Sequence, residues 1–173
     1  PSPFIPGVEV ILHAGTDESL VPEVEELVRS TGKLTARLSD SPGFVLNRLQ
    51  YALLKEAISI VDDGVASAED VDIITRTTFG FRLPFFGPFA IADMAGLDIY
   101  LDCFKTFEDN FGERFATPEG LKKLVAEGHL GTKSGGGFVI PAGDTTDLVA
   151  YRNTAYARLQ QLLAELGEAP GVK

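Results

Sequence analysis

The sequence predicts a mostly α-helical protein in which a short strand–helix–strand unit precedes a multi-helical region. Residues 8–38 contain two short apolar runs separated by a helical pattern, which is the order of a βαβ unit. From Asp40 to Leu166, apolar residues recur mainly at the spacing of three and four that is typical of helices. We therefore divide the chain into a βαβ segment, 1–39, and a helical domain, 40–173.

The βαβ unit follows from three local patterns. Val8–Ala14 is apolar and rich in β-branched residues, and Gly15 closes it, which predicts a mostly buried strand. Asp17 is placed to cap a helix that Gly32 ends. Lys33–Leu38 alternates between apolar and polar residues and predicts a second strand. Because the strands of a βαβ unit run parallel, we expect these two to pair in a parallel sheet.

Capping signals predict where the later helices begin. Ser41 and Pro42 suit the cap and first turn of a central helix over Phe44–Val61, and Ser67 with Asp70 resembles a capping box. The other expected helices cover Ala68–Thr78, Pro88–Ala95, Leu97–Asn110, Pro118–Glu127 behind a Thr117 cap, and about Thr146–Leu166. The expected irregular segments are a Phe-rich loop over Phe79–Phe89, a turn over Gly131–Gly137 and an extended stretch over Phe138–Ile140.

Composition limits the classes of function. With 45% hydrophobic and 23% charged residues the chain is not disordered, and its net charge of −10 disfavours binding to nucleic acid. One cysteine and two widely spaced histidines give neither a disulfide nor a structural metal site. No apolar run approaches the ~18 residues of a membrane span, and no secretory signal is recognisable. We therefore expect a cytoplasmic protein without a membrane or nucleic-acid partner.

The first residues suggest that the chain is a piece of a longer protein. It begins Pro-Ser-Pro without an initiator Met and enters an apolar strand within seven residues. A single βαβ unit also cannot form a stable sheet by itself. We expect further residues upstream.

Two polar residues lie in apolar surroundings. Glu9 shares a strand face with Ile11, and it is either exposed and structural or buried with a partner such as an imidazole that it orients. Asn47 interrupts the most apolar helix, where its amide competes for backbone hydrogen bonds. Its polar stripe continues through Tyr51 and Lys55, so that side faces either a cleft or water.

Two other segments invite a functional interpretation. In Gly131–Gly137, Lys133 and Ser134 precede three glycines instead of following the loop, so a plain turn is favoured over a phosphate-binding loop. No GxGxxG motif occurs, and we assign no cofactor-binding residue to this chain. The phenylalanines of the Phe-rich loop suit core or subunit contacts, with an apolar wall for an acyl chain as the alternative; they are Phe79, Phe81, Phe85, Phe86 and Phe89.

Six motifs, in this order and spacing, resemble the C-terminal part of the 3-hydroxyacyl-CoA dehydrogenase family. The resemblance covers nearly the whole chain, and the Pro-Gly-Phe-Val-x-Asn-Arg run that begins at Pro42 is its most specific part. The motifs are Val8–Val10, Ser41–Leu49, Gly64–Asp72, Phe86–Phe89, Asp93–Asp98 and Gly131–Phe138.

The resemblance implies a fold, a reaction and two catalytic residues. Residues 1–39 would end a Rossmann domain whose NAD-binding loop and catalytic His precede Pro1, and 40–173 would bind substrate and form a homodimer. Glu9 matches the glutamate paired with that His, and Asn47 matches the asparagine that lines the active site. The implied reaction is the NAD-dependent oxidation of an L-3-hydroxyacyl-CoA to the 3-ketoacyl-CoA.

Two alternatives remain open at this point. Phe44–Ala52 and Arg82–Pro88 look closer to the λ-crystallin and L-gulonate 3-dehydrogenase branch, which implies a small 3-hydroxy acid as substrate. The Lys133–Phe138 turn resembles the acyl-CoA branch, and Arg82 is the one side chain of the Phe-rich loop that could bind a sugar acid, so we favour an acyl-CoA. By itself, the chain could instead be an inactive helical dimerisation module, because it has neither that His nor a nucleotide loop.

Overall fold

The computed structural model describes residues 3–171, which form two compact units. The first unit ends at Val71 and the second begins at Asp72. The mostly helical architecture is confirmed, with a two-stranded parallel sheet near the start of the chain. Because the first unit contains the central helix as well as the βαβ segment, the expected domain boundary near residue 40 stays a prediction. No helix within the described residues has the length and apolar character needed to cross a membrane.

The first unit contains the expected βαβ unit. Strands β1 (Gly7–Leu12) and β2 (Leu34–Ser39) pair in parallel, with Glu9 opposite Ala36. Asp17 caps a short 3₁₀ turn by accepting the Ser19 N–H at 3.0 Å, and α1 (Val21–Ser30) follows.

A buried carboxylate joins α1 to β2. Glu25 is 4% exposed and accepts two hydrogen bonds from Arg37, at 2.8 and 2.7 Å, and one from Arg29 at 2.9 Å. The hydrogen bond from Arg37 is the main reason why the pKa of Glu25 is lowered. Because a buried charge is costly without a partner, this network fixes the helix on the sheet.

The central helix α2 (Leu46–Asp62) begins two residues later than expected. Gly43 and Phe44 both have positive φ, 78° and 49°, so these residues form a turn instead of a first helical turn capped by Ser41. No residue of α2 is fully buried, although much of its surface is apolar. Its exposed large hydrophobic residues are Leu46, Leu49, Tyr51, Leu53, Leu54, Ile58 and Val61.

The later helices largely follow the sequence pattern. They are α3 (Ala68–Thr77), α4 (Phe79–Arg82), α5 (Pro88–Ala95), α6 (Leu97–Phe111), α7 (Glu119–Ala126) and α8 (Thr146–Leu166). Ser67 caps α3 as expected, because its Oγ accepts the Asp70 N–H at 3.1 Å, but the Asp70 carboxylate accepts the Ser67 hydroxyl at 2.6 Å instead of the backbone N–H that completes a capping box.

Three local predictions were wrong. The expected loop over Phe79–Phe89 begins with α4 and ends with the first turn of α5. Thr117 does not cap α7, since its N–H and hydroxyl both donate to the Glu108 carboxylate. Phe138–Ile140 is a bend instead of an extended stretch, because its three N–H groups turn toward one acceptor.

That acceptor is Asp93, which is completely buried near the end of α5. Its carboxylate accepts hydrogen bonds from the N–H groups of Phe138, Val139 and Ile140 at 2.8–2.9 Å. Its carbonyl accepts the Thr132 N–H at 2.9 Å. One residue of α5 therefore holds both ends of the glycine-rich turn.

The approach of the turn to Asp93 requires glycine at two positions. A Cβ added at Gly131 would collide with the Asp93 carbonyl, and one added at Gly137 would collide with its carboxylate. Gly131 also has a positive φ of 78°. The plain-turn interpretation of this segment accounts for its glycines.

The core of the second unit lies between α5, α6 and α7. Leu97 is completely buried, and it forms a cluster with Ala92 and Leu121. The partly buried apolar residues packed on this cluster are Tyr100, Leu101, Phe104, Leu124 and Val125. Because Asp93 is the neighbour of Ala92, its hydrogen bonds attach the turn directly to this core.

Four of the five clustered phenylalanines take part in aromatic packing. Phe81, Phe85 and Phe86 surround the ring of Tyr156 on α8, with centroids 5.7–6.2 Å apart. Phe89 stacks at a tilt on Phe138, with centroids 4.9 Å apart. Ring contacts at these distances contribute to packing, and Phe86 is buried as the core interpretation expects, whereas Phe89 is 54% exposed.

We predict that Asp93→Asn lowers the free energy of unfolding by about 3 kcal/mol, because an amide NH₂ would face backbone donors in a buried site. Urea unfolding of the chain followed by circular dichroism measures this. Gly137→Ala should also destabilise it strongly, whereas Gly120→Ala, at an open position in α7, should be neutral or slightly stabilising. Wild-type stability of the Asn variant would contradict the role given to Asp93.

Candidate functional site

The structure brings Glu9 and Asn47 together at the first turn of α2. Glu9 Oε1 accepts hydrogen bonds from the backbone N–H groups of Val45, at 3.0 Å, and Leu46, at 2.8 Å. Asn47 is the next residue along the chain. Two residues that are 38 positions apart in the sequence therefore lie at the same helix start.

The backbone before α2 leaves two donors free for Glu9. The Phe44 N–H closes a turn on the Ser41 carbonyl at 3.0 Å, and the positive φ of Phe44 is unusual for a residue other than glycine. The first N–H groups of a helix have no carbonyl partner within it, and the helix dipole favours a negative charge there. The Glu9 carboxylate on β1 accepts these N–H groups and places a negative charge at the positive end of the helix. This favourable interaction compensates for the strained backbone at Phe44.

Glu9 has one oxygen engaged and one available. The side chain is half-buried on β1, and Oε1 makes both hydrogen bonds to α2. Oε2 makes no hydrogen bond within residues 3–171. The carboxylate is thus held rigidly while it can still accept a hydrogen bond from another group.

Asn47 lies earlier in its helix than the sequence predicted. It is the second residue of α2, whereas it would be the fourth residue of the expected helix Phe44–Val61, so the cost of an asparagine in mid-helix does not apply to it. Its side chain is exposed, and its amide makes no hydrogen bond to the described part of the chain. The amide is available to a ligand or to water.

The two histidines have other contacts. His13 follows β1, and its Nδ1 accepts the Gly15 N–H at 2.9 Å. His129 Nδ1 contacts the carbonyl of Gly135 at 2.5 Å. Neither imidazole is hydrogen-bonded to Glu9 within residues 3–171.

The described residues offer no evident metal centre and no dinucleotide loop. Across residues 3–171, no group of three or more His, Cys, Asp or Glu side chains is arranged to hold a metal ion. The sequence has no GxGxxG, and its one glycine-rich turn is closed on Asp93.

An apolar cavity of about 510 Å³ lies in the second unit, between α3, α4 and α8. Among its lining residues are Phe81, Pro84, Leu159 and Leu163. Of the five clustered phenylalanines, Phe81 alone lines this cavity. The five phenylalanines therefore do not form a common apolar wall at this cavity. That this cavity binds an acyl chain stays a prediction.

The family model for the C-terminal domain of 3-hydroxyacyl-CoA dehydrogenase matches residues 43–140. This match includes Asn47, Asp93 and the glycine-rich turn, and it begins after Glu9. It covers more than half of the chain.

Individual relatives extend the similarity. A probable 3-hydroxybutyryl-CoA dehydrogenase of Bacillus subtilis is 37% identical over 139 residues, which are 80% of this chain and 47% of the relative. The solved 3-hydroxyacyl-CoA dehydrogenase of Archaeoglobus fulgidus superposes with a TM-score of 0.75 at 32% identity, covering 95% of this chain and 55% of that one. The chain spans about half the length of the curated relatives it matches.

A third similar protein acts on a different type of compound. It is a solved 5-formyl-3-hydroxy-2-methylpyridine 4-carboxylic acid 5-dehydrogenase, described as an NAD⁺-dependent dismutase. Its TM-score is 0.59 at 31% identity, and the match covers 95% of this chain and 53% of that one. Proteins similar to this chain are therefore dehydrogenases that act on different substrates.

We predict that Glu9→Ala lowers the free energy of unfolding by about 1–2 kcal/mol, because two N–H groups at the start of α2 lose their acceptor. Glu9→Gln should cost less than about 1 kcal/mol, since it keeps an acceptor oxygen and loses only the charge at the helix end. Urea unfolding of both variants provides the comparison. If Glu9→Ala and Glu9→Gln lowered the free energy of unfolding equally, the hydrogen bonds from α2 to Glu9 would contribute little to stability.

Proposed function

The chain belongs to the 3-hydroxyacyl-CoA dehydrogenase family, whose C-terminal domain it matches, and on this premise we propose that it serves the oxidation of an L-3-hydroxyacyl-CoA to the 3-ketoacyl-CoA. The observation that carries the proposal is the start of α2. There, Glu9 is held through Oε1 with Oε2 available, next to an asparagine whose amide is also available.

Glu9 would act as a positioning residue. A carboxylate that accepts the N–H of a catalytic imidazole selects its tautomer and stabilises the imidazolium that forms when the substrate hydroxyl loses its proton. The two hydrogen bonds from α2 hold the Glu9 carboxylate in one position. The carboxylate would therefore determine the orientation of an imidazole that donates to it.

Asn47 would act on the substrate directly. An amide N–H near the reacting oxygen stabilises the negative charge that develops as the hydroxyl is deprotonated. Its position in the first turn of α2 adds the positive end of the helix dipole to this effect. Both contributions are larger in the transition state than in the ground state, which is the condition for faster chemistry.

The imidazole and the nucleotide site would come from a Rossmann domain outside the described residues. NAD, which would take the hydride, has no loop in this chain to bind it. The two-stranded parallel sheet supports this arrangement, because parallel sheets are normally larger and covered on both faces. Here Leu27 and Leu34 are each 68% exposed, as expected if further strands and helices pack on this unit.

The substrate assignment depends on the relatives and on the apolar cavity. The acyl-CoA assignment is supported by the names of the relatives from Bacillus and Archaeoglobus. The cavity lined by Phe81, Leu159 and Leu163 would suit an aliphatic chain. A small hydroxy acid is the second candidate, favoured by the similar dehydrogenase that acts on a pyridine carboxylic acid.

The exposed apolar surface of α2 supports a homodimer as the working form. Seven large hydrophobic side chains between Leu46 and Val61 are each at least 36% exposed, which is unusual for one helix of a monomer. Burying such a surface against a second copy would add a core between the two subunits.

We predict that Glu9→Gln lowers kcat by about 10²-fold or more, through loss of the imidazole partner. Asn47→Ala should also act mainly on kcat, while Glu23→Gln, on the exposed start of α1, should have no effect. The assay is NADH release by the protein from the full open reading frame, with 3-hydroxybutyryl-CoA compared with L-gulonate and carnitine.

Three outcomes would contradict parts of this proposal. Wild-type turnover in both site variants would remove their assigned roles. A tenfold preference in kcat/KM for either small free acid, about 1.4 kcal/mol in transition-state binding, would favour the second substrate class. NADH release by the 173-residue chain alone would contradict the need for an added nucleotide-binding domain.

We predict that the chain is a dimer at micromolar concentration and that Leu49→Glu weakens it at least tenfold, because a charge would be buried in an apolar interface. Multi-angle light scattering measures the mass of each variant. Gln50→Glu, which places a charge on an already polar neighbour, is the matched control. A monomer at all concentrations would contradict the proposed interface.

A further inference from the structure

A second cavity, of about 380 Å³, lies in the second unit between α5 and α8 and carries two arginines on its walls. Arg82 comes from the end of α4, and Arg152 comes from α8 together with Asn153. Ile91 and Met94 of α5 form an apolar side of the same cavity. The cavity therefore combines positive charge with an aliphatic surface.

Neither arginine is neutralised. No ion pair joins Arg82 or Arg152 to a carboxylate anywhere in residues 3–171, although the chain has 25 acidic residues against 15 basic ones. Both side chains are partly buried. Two like charges that share one cavity repel each other, so an anion between them would stabilise the fold.

The hydrogen-bond donors of this cavity are also incompletely used. Arg82 Nε is buried from solvent and has no hydrogen-bond partner. A buried donor without an acceptor costs about 1–3 kcal/mol, so the position of the Arg82 side chain carries an energetic cost in the described chain. Arg152 donates Nε and Nη2 to Asn153 Oδ1, at 3.2 and 3.0 Å, which fixes the guanidinium at the cavity wall and leaves its Nη1 without a partner in the described chain.

We propose that this cavity binds a small organic carboxylate. The guanidinium groups of Arg82 and Arg152, which line the cavity and have no ion-pair partner within residues 3–171, supply the positive charge and the N–H donors that a carboxylate requires. The apolar side formed by Ile91 and Met94 suits an aliphatic body attached to that group, and the volume is that of a small-molecule site. Inorganic phosphate would leave this apolar side without a partner.

The cavity wall is rigid at its aromatic end. Tyr156 lines the cavity, and its ring is held among Phe81, Phe85 and Phe86 at centroid distances of 5.7–6.2 Å. A fixed phenol gives a ligand one more hydrogen-bond partner without loss of side-chain entropy. This inference does not depend on the proposed function, because every residue involved belongs to the second unit.

The test is a titration of the 173-residue chain with sodium butyrate, butyramide, inorganic phosphate and sodium chloride at one ionic strength. Butyrate should shift the ¹⁵N signal of Arg82 Nε saturably and raise Tm by several degrees. Butyramide has the same shape without the charge and should do neither. Saturation by phosphate at least as tight as by butyrate, or equal effects of butyrate and chloride, would overturn the assignment to a carboxylate.

Two variants and one control locate the site. Arg82→Gln and Arg152→Gln should each weaken butyrate binding at least tenfold, while Arg158→Gln, at an exposed position of α8, should leave it unchanged. If either variant fails to fold, the saturable shift of Arg82 Nε in the wild-type chain decides the question alone. Equal binding in folded Arg82→Gln and wild type would overturn the proposal.

A carboxylate of a second copy of the chain is the other source of the same chemistry. In that case butyrate should compete with self-association, and light scattering should show dissociation of the dimer as butyrate is added. Dissociation that Arg82→Gln reproduces without butyrate would overturn the small-molecule site and assign the cavity to a subunit contact. An unchanged mass with saturable binding supports it.

Discussion

The hydrogen bonding of a buried carboxylate by successive backbone N–H groups is the interaction on which the second unit depends. Asp93 joins α5 to three donors, at Phe138, Val139 and Ile140, and thereby closes the glycine-rich turn on the core around Leu97. A buried charge is tolerated only when its partners are complete. Asp93 therefore determines which residues can occupy the turn, and two of those positions require glycine.

The first unit uses the same type of contact for a different purpose. Glu9 holds the start of α2 with one oxygen and leaves the other available, whereas both oxygens of Asp93 are engaged. A residue with one oxygen used for structure and one free can stabilise the fold and also orient a catalytic partner. For this reason the stability and the kcat of Glu9 variants have to be measured separately.

Charge distribution, instead of net charge, indicates where the second unit could bind a ligand. The whole chain has a net charge of −10, yet Arg82 and Arg152 line one cavity without a carboxylate partner within residues 3–171. Most other cations with a resolved contact, such as Arg37 and Lys133, are paired with a neighbouring acid. This difference between paired and unpaired cations is local, and the total charge of −10 gives no information about it.

The order of the elements, the βαβ unit and most helix bounds could be predicted from the sequence, because periodicity and capping depend on neighbouring residues. The sequence also indicated Glu9 and Asn47 as candidates. Three features became visible only in the folded chain: α2 begins at Leu46, Asp93 closes the glycine-rich turn, and Arg82 and Arg152 line one cavity. These features depend on partners 36 to 70 positions apart in the chain, and no local pattern records such distances.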